Sequence, residues 1–274
     1  MYLGRRPESG AELEENRRFC HVCLQGGRLT REHVPPRKAF NSIDRLWDHL
    51  VINGATSRPR KTRIRGGFFV ETLCKKCNQG LCSQYAKTYV EFVHGLVSAP
   101  QLFGSSGTAR HIRIRQDTLL LAKEIATMIL AIEPLHFARH NDQLRQFVLD
   151  EKCVRHPGFQ ILAFLVPDHE AAGTITRFHA RVDTFAPGLA FAGGEISWYP
   201  FGFVYTSQIG KGYDVDRFTD ITHWFTTIDR TARTSSWLPL HLRLTGVESI
   251  QVGVGDRRVR PHIDYLPGTS LITP

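Results

Sequence analysis

Cys20-His21-Val22-Cys23, Glu32-His33-Val34-Pro35-Pro36 and Cys74-Lys75-Lys76-Cys77-Asn78 all lie in the first third of the chain. The two Cys-x-x-Cys knuckles offer four sulfurs on two tight turns, the spacing at which one tetrahedral zinc with Zn–S bonds of roughly 2.3 Å takes all four. An ion closed off by four thiolates has no open position for water, so it serves as a staple rather than a catalyst. Between the knuckles an acidic residue directly precedes a histidine, and an asparagine directly follows the last cysteine. Glu32, His33 and Asn78 thus make up an oxygen ligand, a base and a second oxygen ligand. The prolines after His33-Val34 disfavour helix there and predict an extended, stiff backbone.

Outward from these stretches, Leu29 to Val34 and Phe68 to Leu73 read as extended runs, which puts His33 at a strand end. From Asn78 the period changes: Leu81, Tyr85, Tyr89, Phe92 and Leu96 recur at three- and four-residue steps on one apolar helical stripe. The long segment Arg37 to Gly67 between the two strands predicts a short helix over Ser42 to Val51. It then carries Arg58, Arg60, Lys61, Arg63 and Arg65 within eight residues. On an extended strand Arg63 and Arg65 point to one side and Ile64 to the other, which makes this tract the candidate grip on a phosphate backbone. A solvated loop is the alternative.

The order of these motifs resembles the HNH endonucleases, the zinc-stapled branch of the ββα-metal nucleases, over roughly the first hundred residues. The resemblance implies an α+β architecture that begins with a ββα-metal (HNH) domain over residues 1–103. Cys20, Cys23, Cys74 and Cys77 would hold its structural zinc. It also implies that Glu32 and Asn78 bind a catalytic divalent ion, Mg²⁺ or Mn²⁺. His33 would then activate water, leaving 5′-phosphate and 3′-hydroxyl ends. The family's middle asparagine, which orients the histidine, has no counterpart just before Cys74, where Glu71 and Thr72 stand. Cys82, four residues after Asn78, sits where some relatives carry another ligand, but a thiol suits a hard ion poorly and a packed cysteine is the plainer reading. Glu32 could instead pair with Arg31, and Asn78 could cap the following helix. Likeness to small stand-alone members of the family suggests bacterial anti-phage defence or a mobile element. It puts DNA ahead of RNA as substrate, with a second copy of the chain or a defence-system protein as candidate partner. The alternative function is a non-catalytic zinc-knuckle protein that binds nucleic acid.

Charge follows the motifs. Residues 1–100 carry 17 Lys and Arg against 9 Asp and Glu, whereas the remainder carries 18 against 17. A positive field concentrated in the knuckle half suits phosphate neutralisation and counterion release. Six cysteines, four of them in Cys-x-x-Cys pairs, point to metal in a reducing compartment rather than to disulfides. The mixed-charge residues 1–15 do not read as a signal peptide, and Lys123-Glu124 interrupts the most apolar window, Thr118 to Leu135. A cytoplasmic protein without a membrane partner is the expectation.

Residues 104–274 are expected to form an accessory α+β domain, a helix pair on an antiparallel sheet, after the linker-like Gly104-Ser105-Ser106-Gly107. Helices are predicted over Asp117 to Glu133, with Leu121, Ile125, Ile129 and Ile132 on one face, and over Asp142 to Asp150. A short run at His111 to Arg115 precedes them. Strands are predicted over Phe159 to Val166, Thr174 to Val182, Glu195 to Ser207, Asp220 to Thr227 and Leu238 to Thr245. Phe201, Phe203 and Tyr205 alternate on one strand face and read as sheet core, with stacking on bases as the less favoured alternative.

Overall fold

The computed structural model describes residues 18–42, 45–49, 60–98, 110–166, 174–182, 190–209, 218–226 and 237–242. These residues form a mixed α+β structure with antiparallel sheets throughout. Strand β1 (Leu29–His33) pairs with β4 (Phe69–Cys74), and the insertion between them forms its own hairpin from β2 (Arg45–His49) and β3 (Arg60–Ile64). A π-helical turn (Lys76–Leu81) leads into helix α1 (Ser83–Ser98). The order strand, strand, helix predicted around the knuckles is therefore present.

β5 (Arg110–Arg115) precedes the central helix α2 (Thr118–Ile132), which is followed by α3 (Leu135–His140) and α4 (Asp142–Leu149). The main sheet comprises β6 (Gln160–Leu165), β7 (Thr174–Val182), β8 (Ala190–Trp198), β9 (Phe201–Ile209) and β10 (Thr219–Asp220). Its spatial order is β10-β6-β9-β8-β7, while β11 (Trp237–Leu242) returns to pair with β5.

Helix α2 is the axis of the structure. Asp117 caps it, its side chain accepting from Leu120 N at 3.2 Å. The expected apolar face is only part of what it hides, because every residue from Leu121 to Ile132 is buried. A helix buried all round needs partners on every side. Here α1 and β4 lie against it, as do α4 and a 3₁₀ turn (Thr222–Phe225). Its last four carbonyls, orphaned in any helix, are all met. Glu133 N, His21 Nδ1, Thr72 Oγ1 and Arg177 Nε donate in turn to Ile129, Leu130, Ala131 and Ile132.

One apolar core runs from Cys20 and Val22 through α1 and α2 to Phe225. The aromatic stripe of α1 meets the sheet edge-on: Phe92 lies 5.0 Å from Phe201 and 6.2 Å from Trp224 between ring centroids. Phe201, Phe203 and Tyr205 are buried in this core, so none of them is free to stack on a base. The expected division at residue 103 falls outside the described residues, as do the Gly104–Gly107 linker and both chain ends.

Four local expectations are corrected. Ser42 to Val51 is not a helix: Arg45–His49 is a strand in register with Arg60–Ile64, the ladder overriding weak helical propensity. Glu195 to Ser207 is two strands, because the chain reverses at Tyr199-Pro200, where proline supplies no ladder donor. Asp220 to Thr227 is only a two-residue strand. Asp220 Oδ1 accepts from Thr222 N at 2.9 Å and also from Thr222 Oγ1, a side-chain turn that starts the 3₁₀ segment instead. Pro134 ends α2 as expected, but the chain re-enters a helix at once as α3.

Candidate metal centre and catalytic site

The first knuckle is a tight reversal closed by Cys20 N donating to Gln25 O at 3.0 Å and Leu24 N to Cys20 O at 2.8 Å. His21 N then donates to Thr72 O at 2.9 Å, tying this turn to β4, which ends on Cys74. The result is that the sulfurs of Cys20, Cys23, Cys74 and Cys77 all lie within 4.8 Å of one another, and those of Cys23 and Cys74 are 3.8 Å apart. Four thiolates around zinc at roughly 2.3 Å are spaced by about 3.8 Å along a tetrahedron's edges, so the cluster is compatible with a structural zinc. Without a cation the four cannot share negative charge. The hydrogen bond from Cys77 holds the Cys20 thiol down at about 4, while that same contact pushes Cys77 far up and burial raises Cys23. Among the described residues no other group of three or more His, Cys, Asp or Glu is so arranged.

Glu32 and His33 are the last two residues of β1, opposite Val70 and Phe69 of β4. The register slips between Thr30 and Glu32, so that Glu71 and Thr72 together face Arg31. Asn78, in the π-helical turn, reaches back across this slip. Its amide nitrogen donates to Thr30 Oγ1 at 3.0 Å and to Arg31 O at 2.9 Å. The capping alternative is therefore not adopted: Asn78 lies inside the turn and bonds to β1. Nor does Glu32 pair with Arg31, whose guanidinium meets Glu71 at 3.2 Å and lies over the Phe69 ring. Burial pushes the Glu32 carboxyl up to about 7.

His33 Nε2 lies 3.2 Å from the carbonyl oxygen of Gly66, which can only accept. Nε2 therefore carries the proton, and Nδ1 is left with the lone pair a general base needs. Burial lowers the imidazole's pKa, and the Arg37 and Arg31 charges push the same way against the Gly66 contact. The neutral ring is thereby favoured at neutral pH.

The turn that carries Gly66 is held at Phe68 by Asn41, which no sequence signal singled out. Fully buried, it donates from Nδ2 to Pro35 O at 2.7 Å and Phe68 O at 2.8 Å and accepts from Phe68 N at 2.7 Å. It thus locks the Pro35-Pro36 segment after His33 to the Gly66-Gly67-Phe68 turn before β4. The residue that holds this turn lies inside the insertion rather than next to Cys74. The clue available in the sequence was an asparagine closely following two prolines and, across the insertion, a Gly-Gly pair.

The basic tract is partly placed. Arg58 lies outside the described residues, Arg60, Lys61 and Arg63 lie on β3 with only their backbone described, and Arg65 is exposed beside Gly66. The charges of Arg31 and Arg37 reach His33; Arg31 was considered only as a partner for Glu32, and Arg37 was not singled out in advance. Cys82 is buried and Thr127 Oγ1 lies 3.7 Å from its sulfur, so it is the packed cysteine expected, outside the four-sulfur cluster. No helix among the described residues is long and apolar enough to cross a membrane. Set against models of protein families, curated proteins and solved structures, the chain matches none.

Proposed function

We propose that the chain is a metal-dependent endonuclease of the HNH type, hydrolysing phosphodiester bonds in DNA in preference to RNA. The four-cysteine cluster holds a structural zinc, and Glu32 with the Asn78 amide oxygen holds a catalytic Mg²⁺ or Mn²⁺. The observation that carries the reading is the His33–Gly66 contact. A histidine clamped through Nε2 at the end of β1, beside Glu32 and two residues from the backbone that Asn78 grips, is a base with a fixed tautomer and direction.

In this reading His33 Nδ1 takes the proton of the attacking water, and the Gly66 carbonyl holds the imidazolium that forms. Arg37 and Arg65, both exposed, meet the phosphates in this reading, and Arg58, Arg60, Lys61 and Arg63 of the insertion add to the positive charge of the same tract. A cation bound by Glu32 and Asn78 supplies polarisation of the scissile phosphate and charge neutralisation on the leaving 3′ oxygen. The even spread of charge over residues 101–274 leaves selection of the target, a partner protein or a second copy as the role of that half. A cytoplasmic place in anti-phage defence or a mobile element is part of the same proposal.

The test is nicking of supercoiled plasmid by the zinc-loaded protein with Mg²⁺ or Mn²⁺, beside His33→Ala and with a structured RNA as second substrate. Cutting by the wild type and a loss of at least a hundredfold in the variant is expected. Equal cutting by both removes His33 from the mechanism, and binding without cutting by either favours the zinc-knuckle binding module.

A further inference from the structure

Helix α2 carries a carboxylate that no described residue satisfies. Glu124 is 1 % exposed, and neither of its oxygens meets a hydrogen-bond donor. Its neighbour Lys123 does not help, because that ammonium group donates to the carbonyls of Phe147, Asp150 and Cys153. A buried ionised carboxyl with neither donor nor counter-charge is among the costliest things a core can contain, so such a group either keeps its proton or binds something else.

The direction in which Glu124 faces says what that is. Thr127, one turn on along the same face, meets the Cys82 sulfur, so this face of α2 looks onto the turn that carries Asn78 and Cys82. The charge that reaches Glu124 is that of Glu32. The Glu32 side chain in turn has no hydrogen bond or ion pair with a described residue. Two carboxyls from different parts of the chain thus lie within electrostatic reach of each other, Glu124 on the face of α2 that meets the turn and Glu32 next to the Arg31 carbonyl that Asn78 grips. Two such charges repel, and a divalent cation between them reverses the sign of the interaction.

We propose that Glu124 and Glu32 together ligate one divalent cation, so that helix α2, outside the knuckle motif, completes the ion site. An all-oxygen set of this kind selects a hard ion such as Mg²⁺ or Mn²⁺. The cation's catalytic role rests on the endonuclease reading, but its binding does not. Recruiting the ligand from α2 also couples the two halves of the chain, because the ion site forms only when α2 is seated against α1 and β4.

The experiment is titration of the zinc-loaded full chain with Mn²⁺, free Mn²⁺ being followed by electron paramagnetic resonance. Wild-type protein is expected to bind one Mn²⁺ beyond the zinc. Glu124→Gln and Glu32→Gln should each weaken it at least tenfold, with His33→Ala binding as the wild type does. Glu124→Asp, which keeps the charge on a shorter arm, should fall between and serves if the Gln variant does not fold by circular dichroism. In the nicking assay the Mn²⁺ needed for half-maximal rate should rise in Glu124→Gln by the same factor as its loss of affinity. Unchanged affinity in both Glu124 variants overturns the inference, as does a wild type that binds no Mn²⁺ up to millimolar concentration, the behaviour of two carboxyls that share a proton. Plasmid cutting with Glu124-independent Mn²⁺ binding leaves the nuclease reading standing without this site. Glu124-dependent binding without cutting leaves the site standing without the nuclease.

Discussion

Asn41 and Phe68 exchange both of their amide groups: the Asn41 side chain accepts from Phe68 N at 2.7 Å and donates to Phe68 O at 2.8 Å. The pair mimics one rung of an antiparallel ladder, with a side chain standing in for a strand. Asn41 Nδ2 also donates to Pro35 O, so the two ends of the long insertion close on a single residue, and the carbonyl that holds His33 lies two residues away at Gly66. Asn41→Ala removes three buried hydrogen bonds, but Phe68 O still accepts from Val34 N at 3.2 Å, so the loss is about 2 kcal/mol at roughly 1 kcal/mol for each of the other two. Urea unfolding should show that loss. Nicking should fall with it under conditions where the variant is still folded and retains its zinc, because the imidazole loses its anchor. A variant with full nicking activity would show that Gly66 stays in place without Asn41.

The adjacent glycines separate strain from collision. Both have positive φ, +73° at Gly66 and +93° at Gly67. A Cβ at Gly66 meets nothing within 4 Å, so Gly66→Ala carries only the backbone penalty, about 1–2 kcal/mol. A Cβ at Gly67 falls 2.0 Å from the Asn41 carbonyl oxygen and 2.4 Å from its side-chain oxygen, and neither can move without breaking the lock. Thermal unfolding should therefore rank Gly67→Ala well below Gly66→Ala. Equal effects would mean that the turn is not packed on Asn41.

Much of this arrangement was legible in advance, and the part that was not has one cause. Local signals carried through: the four cysteines converge, His33 ends a strand, and Tyr85, Tyr89, Phe92 and Leu96 bury one stripe of α1. What escaped depends on contacts between residues far apart in the chain. Asn41 looked like any polar loop residue because its partners follow a long insertion. The strand at Arg45–His49 looked helical because its ladder partner lay in a tract read for phosphate contacts and not as a pairing strand. Lys123 and Glu124 were read only as the charges that interrupt an apolar window, since periodicity cannot reveal that a helix is covered on every side. Lys123 resolves its own burial through three carbonyls, whereas Glu124 does not.

Metal removal has a specific signature. The described cysteines outside the cluster, Cys82 and Cys153, take no part in it. One zinc per chain is expected by metal analysis, with Cys74→Ser lowering the content and Cys82→Ser leaving it unchanged. Because binding energy at such sites is folding energy, strong chelation should melt the β1–β4 pair and with it the cap on the last turn of α2 that His21 and Thr72 supply. The measurable outcome is a fall in the unfolding temperature of the whole chain rather than of a separable part, as the continuous core requires. An unchanged melting curve after zinc is lost would mean that packing alone holds the knuckles.

The main sheet gives a pH dependence that is independent of either metal. Glu195 of β8 is 7 % exposed, and burial pushes its carboxyl up to about 8 from an ordinary value of 4.5. Its folded-state value is thus the higher one. At low pH the group is neutral in both states and costs nothing. As pH rises past the ordinary value, the unfolded chain releases the proton while the folded chain keeps it, so unfolding gains. Stability attributable to this residue therefore falls across the window from 4.5 to 8 and levels off above it, by at most about 1.4 kcal/mol per pH unit. Glu195→Gln removes the titration without changing the shape. Urea unfolding at several pH values across that window should show wild-type stability falling relative to the variant as pH rises, while the remaining titrating groups cancel in the difference. Parallel curves would mean that Glu195 ionises in the folded sheet at its ordinary value and that water or a cation reaches it there.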